Sequence, residues 1–418
     1  MRTAVIVIGD LGRSPRMQYH ALALAVNLGT VDLIGLEGTP LHEAIAGDGR
    51  IRVHRLADRA FASRAAGGRR RFVLLSGLRA VAQGARLLAT LLRADPPDAV
   101  LVQSPPATPT LAVAWLAARW RGARLIIDWH NLAHTVLAVR LGADHRAVAA
   151  LRRAERRWAR RADAHLAVSA ALAGWLDREF GVQAAVLYDR PAAAFTRTGA
   201  VEADAMWARL APTLDLSARR VPIAVCPSSW TPDEDFDLLL EALERAERTL
   251  VDRRGPGTPD APDLAVLLTG RGALKAEVER RLSRRAFTRI AVRTPWLEPG
   301  DYPRLVGMAD AGICLHQSSS GLDLPMKLAD FRGCGVPACA FDYAPVIREV
   351  LTPGREGVLF TEPGGLARIL VALATGHASE VPELWASKAW LAAHPSERWD
   401  DHWRERVPGL VRGARPDA

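Results

Sequence analysis

The sequence predicts an α/β protein made of two doubly wound, Rossmann-like domains. Short runs of Val, Ile, Leu and Ala alternate with longer segments of helical period along the 418 residues. Most runs show no apolar–polar alternation, which is typical of parallel strands covered by helices on both faces. The succession of strands and helices starts afresh in the second half, and the chain is too long for one ordinary core.

Seven runs predict the sheet of a first domain, residues 1–200: AVIVIG (4–9), VDLIGL (31–36), IRVHRL (51–56), DAVLVQ (98–103), ARLIIDW (123–129), AHLAVS (164–169) and AAVLY (184–188). Six more predict the sheet of a second domain, residues 218–395: PIAVCPSS (222–229), DLAVLLTG (263–270), RIAVRTP (289–295), AGICLHQ (311–317), VPACAFD (336–342) and GVLF (357–360). A polar junction is expected around 197–219, and a late helix within 396–418.

The charge and the cysteine content of the chain indicate which kinds of ligand and which cellular compartment to expect. The net charge of +9 and the pI of about 10.1 favour phosphate ligands, an anionic membrane surface or nucleic acid. The four cysteines show neither zinc spacing nor a disulfide framework, so we expect reduced thiols in a cytoplasm. The first residues already follow a strand pattern, which predicts no signal peptide. No window offers the ~20 uncharged apolar residues of a membrane-spanning helix.

The loop after the first strand, GDLGRSPRMQYHA (9–21), is a candidate anion site, because ligands of such sheets bind at the C-terminal ends of the strands. Its glycines permit a tight turn, and Ser-Pro is typical of a helix start. Arginines beside a helix N-terminus would attract an anion, such as an acceptor's phosphate, although an ordinary strand–helix turn also explains the loop. The acceptor-binding residues predicted here are Gly12, Arg13, Ser14 and Arg16.

The motif DWHN (128–131) ends another strand of the first domain. A carboxylate and an imidazole two residues apart on an extended chain point to the same side. His130 could take a proton from an attacking hydroxyl, and Asp128 or Asp10 could orient it or act in its place. A hydrogen-bonded loop histidine without a catalytic role is the alternative.

The stretch SSWTPDEDFDLLLEAL (228–243) follows the first strand of the second domain. Thr231 and Glu234 fit a capping box, which explains both residues structurally. The acids of the Asp235-Phe236-Asp237 segment complement a helix dipole, so no metal is predicted there. Glu234 and Asp235 are also candidates for contact with the acceptor or the donor sugar.

Two loops of the second domain predict a diphosphate site. TGRGALK (269–275) exposes backbone at a strand end beside Arg271, and SSSGLDLPMKLADFRGCGVP (318–337) places hydroxyls before a helix with Lys327 and Asp330. Routine capping explains the serines of the second loop, but not the lysine and the aspartate of so short a helix. The donor-binding residues predicted are Arg271, Ser318, Ser319, Ser320, Gly321, Leu322, Asp323, Lys327 and Asp330.

Two segments rich in arginine could contact a lipid membrane, nucleic acid or only solvent. RRRFVLLSGLRAVAQGARLLATLLR (69–93) spaces Arg79, Arg86 and Arg93 seven apart on a mostly apolar helix. Such a stripe suits a helix lying on anionic lipid, and equally a core helix with one solvated stripe. LRRAERRWARRA (151–162) forms a basic face, but it lacks aromatic interleaving and a recognised nucleic-acid module, so no nucleic-acid partner is predicted.

Six blocks of the chain are highly specific when taken together: GDLGRSPRMQYHALALA, IIDWHN, LYDRPA, SSWTPDEDFDLLLEALE, TPWLEPGDYPRLVG and CLHQSSSGLDLPMKLADFRGCGVPACA. In this order and at these separations they resemble the chitobiosyldiphosphodolichol beta-mannosyltransferase family. Those enzymes add the first mannose to the lipid-linked N-glycan precursor. The resemblance runs from the first strand nearly to the C-terminus.

The resemblance implies a GT-B fold, in which two Rossmann-like domains face a central cleft and the last helix crosses back to the N-terminal domain. It implies an inverting transfer of mannose from GDP-mannose, with no cofactor and no obligatory metal. The nucleotide would lie on the second domain, with its ribose at Asp330, and the acceptor largely on the first. The basic pair of many retaining relatives is replaced by Thr231 to Asp235, so Arg271, Lys327 and the Ser318–Gly321 loop are expected to neutralise the diphosphate.

The chain departs from the family in two respects. It shows no N-terminal membrane anchor, so we expect a peripheral protein on the cytoplasmic face of the membrane. Its Ala- and Arg-rich composition is typical of a high-GC bacterium, so the acceptor is expected to be another lipid-linked sugar or glycan with an N-acetylglucosamine-like end. The alternatives are a different GDP- or UDP-sugar donor, or a non-catalytic sugar- or lipid-binding subunit of the same fold.

Overall fold

A computed structural model of the chain describes residues 1–57, 69–258, 261–298 and 300–413, with only the backbone described for 69–78. The chain divides into two compact units. Unit 1 comprises Met1–Asp189 and Trp399–Ala418, and unit 2 comprises Arg190–Arg398. The division therefore falls at Asp189, whereas the sequence placed the end of the first domain at 200.

Unit 1 contains a parallel sheet of seven strands, each of which the sequence predicted: β1 (Arg2–Asp10), β2 (Thr30–Leu36), β3 (Ile51–Leu56), β4 (Ala99–Ser104), β5 (Arg124–Trp129), β6 (Ala164–Ala167) and β7 (Ala185–Val186). Their spatial order is β3-β2-β1-β4-β5-β6-β7. The chain thus runs outward from β1 to β3 and returns to place β4 on the other side of β1. In doubly wound sheets ligands bind beside such a reversal, which here lies at the C-terminal ends of β1 and β4, next to β5.

The helices of unit 1 before residue 189 are α1 (Pro15–Asn27), α2 (Glu43–Ala46), α3 (Arg69–Arg93), α4 (Thr110–Arg121), α5 (Ala133–Leu141), α6 (Arg146–Ala159) and α7 (Ala170–Phe180). The sheet is buried beneath them, and Ile6, Leu33, Leu101 and Ile126 of its strands are fully covered. Because both faces are covered, the inner strands show apolar runs, whereas the edge strand β3 exposes Arg52 and Arg55.

Unit 2 repeats this plan with six parallel strands: β8 (Ile223–Pro227), β9 (Leu264–Thr269), β10 (Ile290–Arg293), β11 (Ala311–Cys314), β12 (Ala338–Phe341) and β13 (Gly357–Phe360). Their order is β10-β9-β8-β11-β12-β13, with the reversal between β8 and β11. Its helices are α8 (Ala200–Thr213), α9 (Phe236–Arg254), α10 (Lys275–Leu282), α11 (Asp301–Met308), α12 (Lys327–Gly333), α13 (Pro363–Thr375) and α14 (Pro382–Ala393).

The stretch around 197–219 is not a polar junction. It contains α8, whose Met206, Trp207 and Leu210 are buried in a hydrophobic cluster with strands of unit 2. These apolar residues recur at helical spacing, so the stretch has a face that must be covered.

The last helix, α15 (Trp399–Arg412), belongs to unit 1, as predicted. It packs on α1, where the rings of Trp399 and Tyr19 lie 5.9 Å apart. Trp403 is fully buried, and its Nε1 donates a hydrogen bond of 3.0 Å to Nδ1 of His20. Unit 1 is therefore completed by a segment that follows unit 2 in the chain.

Among the helices of the described residues, none combines the length and the apolar character that crossing a membrane requires.

Replacing Trp403 by Ala should lower the free energy of unfolding of unit 1 by about 3–5 kcal/mol, because it empties a fully buried site. Trp120→Ala is the matched control, since Trp120 is 75% exposed in the same unit and its loss should change stability by less than about 0.5 kcal/mol. Denaturant unfolding measures both, and equal effects of the two variants would contradict the placement of α15.

Candidate active site

A buried ion pair lies at the C-terminal end of β5. Asp128 is fully buried, and its two carboxylate oxygens accept hydrogen bonds of 2.8 Å from Nε and Nη2 of Arg16. Nη1 of Arg16 donates to the carbonyl of Leu187 and to Asp189, both at 2.8 Å. Burial alone would raise the pKa of Asp128, but Arg16 and His130 hold it well below its usual range. Asp128 is therefore ionised.

The buried Arg16 departs from the sequence prediction of an anion-binding side chain. Arg16 is 0% exposed, and four of its five N–H groups donate to two carboxylates and a carbonyl, so the buried guanidinium is not open to an acceptor. Its place on the inward side of α1 explains this, since the side chain reaches β5 rather than the solvent. Arg13, on the preceding turn, is exposed.

His130 lies beside this ion pair and is 22% exposed at its side chain. Its Nε2 is 3.0 Å from Oδ2 of Asp128, and its backbone amide donates to the carbonyl of Ser104 at the end of β4. An ionised carboxylate can only accept, so Nε2 of His130 carries the hydrogen. When the ring is neutral, the lone pair is therefore on Nδ1, which is the arrangement of a general base oriented by a carboxylate.

A second histidine, His20, adjoins Asp128 from α1. It is fully buried, and burial lowers its pKa, so the ring is neutral. Because the indole of Trp403 can only donate, Nδ1 of His20 accepts and Nε2 carries the hydrogen. That Nε2 lies 3.3 Å from Oδ2 of Asp128, without the geometry of a hydrogen bond. Residues of α15, α1 and β5 thus form one chain that ends at His130.

The loop between β5 and α5 is anchored by Glu155 of α6. This carboxylate is fully buried and accepts hydrogen bonds from the amides of Ala133 (2.7 Å) and His134 (3.1 Å) at the start of α5. It also bonds Nδ1 of His134 at 2.6 Å. A carboxylate at a helix N-terminus satisfies amides that have no partner within the helix. Both ends of the segment that carries His130 are therefore fixed.

The carboxylate of Asp10 is engaged in hydrogen bonds with two neighbouring loops. It accepts hydrogen bonds from the amide of Gly12 (2.9 Å) and from the amide (3.0 Å) and hydroxyl (2.7 Å) of Thr39. Burial works against its charge, yet the bonds from Thr39 and Gly12 lower its pKa. An acid stabilised in this way is a poor base, so the geometry favours His130 over Asp10.

The predicted turn after β1 is present. Ser14 precedes α1, Pro15 is its first residue, and the Ser14 hydroxyl donates to the carbonyl of Asp10 at 2.9 Å. A Cβ on Gly12 would lie 2.4 Å from the carbonyl oxygen of Thr39, so only glycine fits there.

The predicted donor residue Lys327 forms an ion pair that the sequence did not predict. Its Nζ donates to Oε1 of Glu234 (2.6 Å) and to the carbonyl of Pro227 (2.7 Å) at the end of β8. The Lys327 side chain is 16% exposed and that of Glu234 is 2% exposed. Burial disfavours the ammonium, but its surroundings, among them the carboxylate of Glu234, raise its pKa, so Lys327 keeps its charge.

Glu234 also organises the loop after β8. Its Oε2 accepts from the hydroxyl of Ser228 (2.6 Å) and from the amides of Ser229 (2.9 Å) and Trp230 (3.0 Å). Trp230 has a φ of 53°, which a non-glycine residue adopts only when its surroundings impose it. Glu234 is buried behind this loop, and its contact with a sugar stays a prediction. The capping box with Thr231 is wrong. The helix cap is Asp235, which accepts from the amide of Leu238 at 2.9 Å.

The glycines of TGRG have a packing role. A Cβ on Gly270 would lie 2.0 Å from the carbonyl oxygen of Ser228, and one on Gly272 would lie 2.0 Å from that of Ser229. The two loops after β8 and β9 therefore touch through bare backbone. This contact explains the glycines without a diphosphate. Arg271 between them is exposed and lies 3.3 Å from the ring centre of Trp296, which follows β10 and is 47% exposed.

The serine loop after β11 is closed on itself. The hydroxyl of Ser318 accepts from the amides of Ser320 (3.2 Å) and Gly321 (2.8 Å) and bonds the carboxylate of Asp323. The hydroxyl of Ser320 accepts from the amide of Leu322 at 3.2 Å. Asp323 is nearly buried and Ser319 is exposed. The predicted residues are brought together, with Asp323 as an organiser of the loop.

His316 joins this loop to the one after β8. Its Nε2 is 3.0 Å from Asp323, and its Nδ1 is 3.5 Å from Asp233. Burial works against its charge, but the bonds to these two carboxylates raise the pKa of His316 to about 8. The imidazolium is therefore a cation within the loop, and the sequence analysis did not find it because one of its two partners, Asp233, belongs to the distant loop after β8.

Asp330 lies on α12 three residues after Lys327, as predicted. It is half-buried and accepts a hydrogen bond of 3.2 Å from the hydroxyl of Tyr302. Within the described ranges no group of three or more His, Cys, Asp or Glu side chains is arranged to hold a metal ion. A reaction without an obligatory metal stays a prediction.

Comparison with known proteins finds relatives that align with nearly the whole chain. The family of the Glycosyl transferase 4-like domain matches residues 12–188. The human chitobiosyldiphosphodolichol beta-mannosyltransferase is 33% identical over 97% of this chain and 91% of its own length. The protein named UDP-glycosyltransferase TURAN from Arabidopsis thaliana is 36% identical over 98% of this chain and 97% of its own length.

Solved structures with the same fold are more distant in sequence. A sucrose-phosphate synthase from Thermosynechococcus elongatus superposes with a TM-score of 0.69 at 14% identity, over 99% of this chain and 98% of that one. The Anabaena protein HepE in complex with UDP and glucose superposes with a TM-score of 0.64 at 14% identity, over 97% of both chains. At this identity the likeness concerns the fold alone.

The stability of unit 2 should fall as the pH rises through the pKa of His316. The unfolded histidine titrates near 6.5 and the folded one near 8, so the stabilisation is complete below pH 6.5 and is lost above about pH 8. The expected loss is about 2 kcal/mol, measured by denaturant unfolding across this range. His316→Gln should remove the slope, and His394→Gln, at an exposed histidine of unit 2, should keep it. An unchanged slope in His316→Gln would contradict this assignment.

Proposed function

Since the chain belongs to the chitobiosyldiphosphodolichol beta-mannosyltransferase family and is a glycosyltransferase with the GT-B fold, we propose that it transfers mannose from GDP-mannose with inversion. The acceptor is a lipid-linked or other glycan with an N-acetylglucosamine-like end, and the product is a β-mannoside. The observation that carries this proposal is the Asp128–His130 pair, in a chain that aligns with the human mannosyltransferase over 97% of its own residues.

An inverting transfer requires one base and one direct displacement. Nδ1 of His130 takes the proton of the acceptor hydroxyl, whose oxygen bonds to the anomeric carbon of mannose. The bond from that carbon to the β-phosphate oxygen breaks, and its electron pair leaves with GDP. Asp128 stabilises the imidazolium that forms and keeps Nε2 protonated, as a carboxylate does in a hydrolase triad. Arg16 contributes by keeping Asp128 ionised and in place.

Unit 2 holds the donor in this proposal. An ammonium has three N–H donors, of which two are bound to Glu234 and Pro227, so the third can reach a phosphate oxygen. The exposed Arg271 adds a second cation, and the Ser318–Gly321 loop adds hydroxyls and amides. Asp330 accepts the ribose hydroxyls, with Tyr302 fixing its carboxylate. No cofactor or metal is part of the proposal.

The acceptor meets unit 1 through the turn after β1. Arg13 is the exposed cation there, and Gly12 and Ser14 shape the backbone around it. A lipid-linked acceptor would place the protein at a membrane surface, as a peripheral protein on the cytoplasmic face.

A uridine nucleotide is the second candidate donor. The Arabidopsis relative carries UDP in its name, and it is 36% identical to this chain over nearly all of both lengths. A non-catalytic role has no comparable support, because the family consists of enzymes.

GDP-mannose should raise the melting temperature of the protein more than GDP-glucose, UDP-glucose or UDP-N-acetylglucosamine. A ligand at 100 times its Kd stabilises the folded state by about 2.7 kcal/mol. Asp330→Asn should weaken the binding of GDP-mannose about tenfold or more, because it removes a charged acceptor for the ribose. Asp237→Asn, at an exposed acid on α9, is the matched control.

Two outcomes would contradict the donor assignment. A shift with a uridine nucleotide alone would make the donor a UDP-sugar. An unchanged affinity in Asp330→Asn would remove the ribose role from that residue, whichever nucleotide binds.

A further inference from the structure

Exposed apolar side chains are concentrated on one part of unit 1. Of the ten large hydrophobic residues that are exposed in the described part of the chain, six lie on α3, α4 and α5. Single exposed apolar residues are normal on any protein, but a concentration of them marks a surface that is covered in use. The six are Val81, Leu92, Leu116, Trp120, Val136 and Val139.

The helices that carry these residues form one layer with α6. A Cβ on Gly84 of α3 would touch Pro109 before α4, and the rings of Trp115 on α4 and Trp158 on α6 lie 5.5 Å apart. Glu155 of α6 joins α5 through His134. The connections from β3 to β6 all advance in one direction along the sheet, and right-handed crossovers place their helices on one face. The outward sides of these helices therefore form a continuous surface, which we call the basic–apolar face.

Arginines dominate this face, and one of them, Arg152, is paired with Glu179 of α7 at 2.6 Å. Six arginines at the outer side of α6 and its C-terminal end are exposed, whereas the one acid of that helix, Glu155, is fully buried. Arg161 lies 5.4 Å from the ring centre of Trp158 and 5.9 Å from that of Trp115. The sequence analysis found no aromatic interleaving in this segment, whereas in the structure Trp158 of the segment and Trp115 of α4 both lie beside Arg161. The six are Arg152, Arg153, Arg156, Arg157, Arg160 and Arg161.

We propose that the basic–apolar face docks unit 1 on an anionic lipid surface. Arginines provide the attraction to lipid phosphates, and the indole of Trp120, 75% exposed, suits the boundary between headgroups and acyl chains. A nucleic acid would neutralise the arginines but leave Val136, Val139 and Trp120 in water. The proposal rests on the proposed function in one respect: a lipid-linked acceptor gives the docking a purpose.

In this proposal the arginine stripe of α3 is not the main lipid contact that the sequence analysis considered. Arg86 is half-buried, and its Nη1 donates 2.7 Å to the carbonyl of Ala57, so it is turned toward the protein. Val81 and Leu92 of the same helix are exposed and extend the face. The side chains of 69–78 lie outside the described residues.

Sedimentation with vesicles of phosphatidylcholine containing phosphatidylglycerol tests the proposal with the full chain. The wild type should bind these vesicles far better than pure phosphatidylcholine, and added salt should weaken the binding. Arg153→Gln with Arg156→Gln should lower the partition coefficient about 30-fold, at about fivefold per arginine. Trp120→Ala should lower it about tenfold, because an exposed indole no longer enters the interface.

Unit 2 offers matched controls. Val201 is 85% exposed on α8, and Arg248 and Arg368 are exposed on α9 and α13. Val201→Ser and the pair Arg248→Gln with Arg368→Gln should change the partition coefficient less than about twofold, although the pair removes the same net charge. Equal losses in the unit 1 and unit 2 arginine pairs would overturn the proposal, since binding would then follow net charge alone.

Two further results would also overturn it. One is unchanged vesicle binding in Trp120→Ala. The other is binding of a short nucleic-acid duplex in preference to vesicles, lost in the Arg153 and Arg156 variant. The thermal shift with GDP-mannose is measured without lipid, so a failure of the docking proposal would not affect the donor assignment. Equally, the absence of a shift with GDP-mannose would not affect the docking proposal.

Discussion

The ion pair between Arg16 and Asp128 is the interaction on which the candidate active site of unit 1 depends. A fully buried carboxylate is costly unless it is paired and hydrogen-bonded, and breaking such a pair by removing one partner typically costs about 3–5 kcal/mol. Here the pair fixes α1 against the end of β5, and the same carboxylate orients His130 and adjoins His20. Trp403 extends this chain to α15, so the last helix supports the residue that we assign as the base.

In unit 2 a buried ion pair likewise lies at the end of a strand, here β8. Glu234 is buried, its charge is met by Lys327, and its other oxygen holds a loop whose Trp230 adopts a strained backbone. His316 between Asp233 and Asp323 joins the next loop to this one. Each unit therefore keeps its loops in place with a buried or half-buried charge pair, and in our proposal the exposed or half-exposed group beside that pair contacts the ligand.

The strands could be predicted from the sequence because each is encoded by a local run of residues. The buried ion pairs could not, because their partners are far apart in the sequence. Each parallel strand is a short run of apolar residues that any window of the sequence shows. Asp128 and His130 were also within reach, because they are two residues apart on one strand end. Arg16 and Asp128 are separated by 112 residues, and Lys327 and Glu234 by 93, so no local pattern reveals that they meet. His20 could have been found, since it lies four residues after Arg16 on the same side of α1.

The rate of mannose transfer by His130→Ala tests the central claim most directly. Transfer from GDP-mannose to a lipid-linked acceptor ending in N-acetylglucosamine is measured beside the wild type, with the GDP-mannose thermal shift as the control for folding and donor binding. The account predicts a kcat lower by about 10²-fold or more with an unchanged thermal shift, because the acceptor hydroxyl loses its base. Transfer at the wild-type rate would contradict it and would remove the Asp128–His130 pair from the reaction.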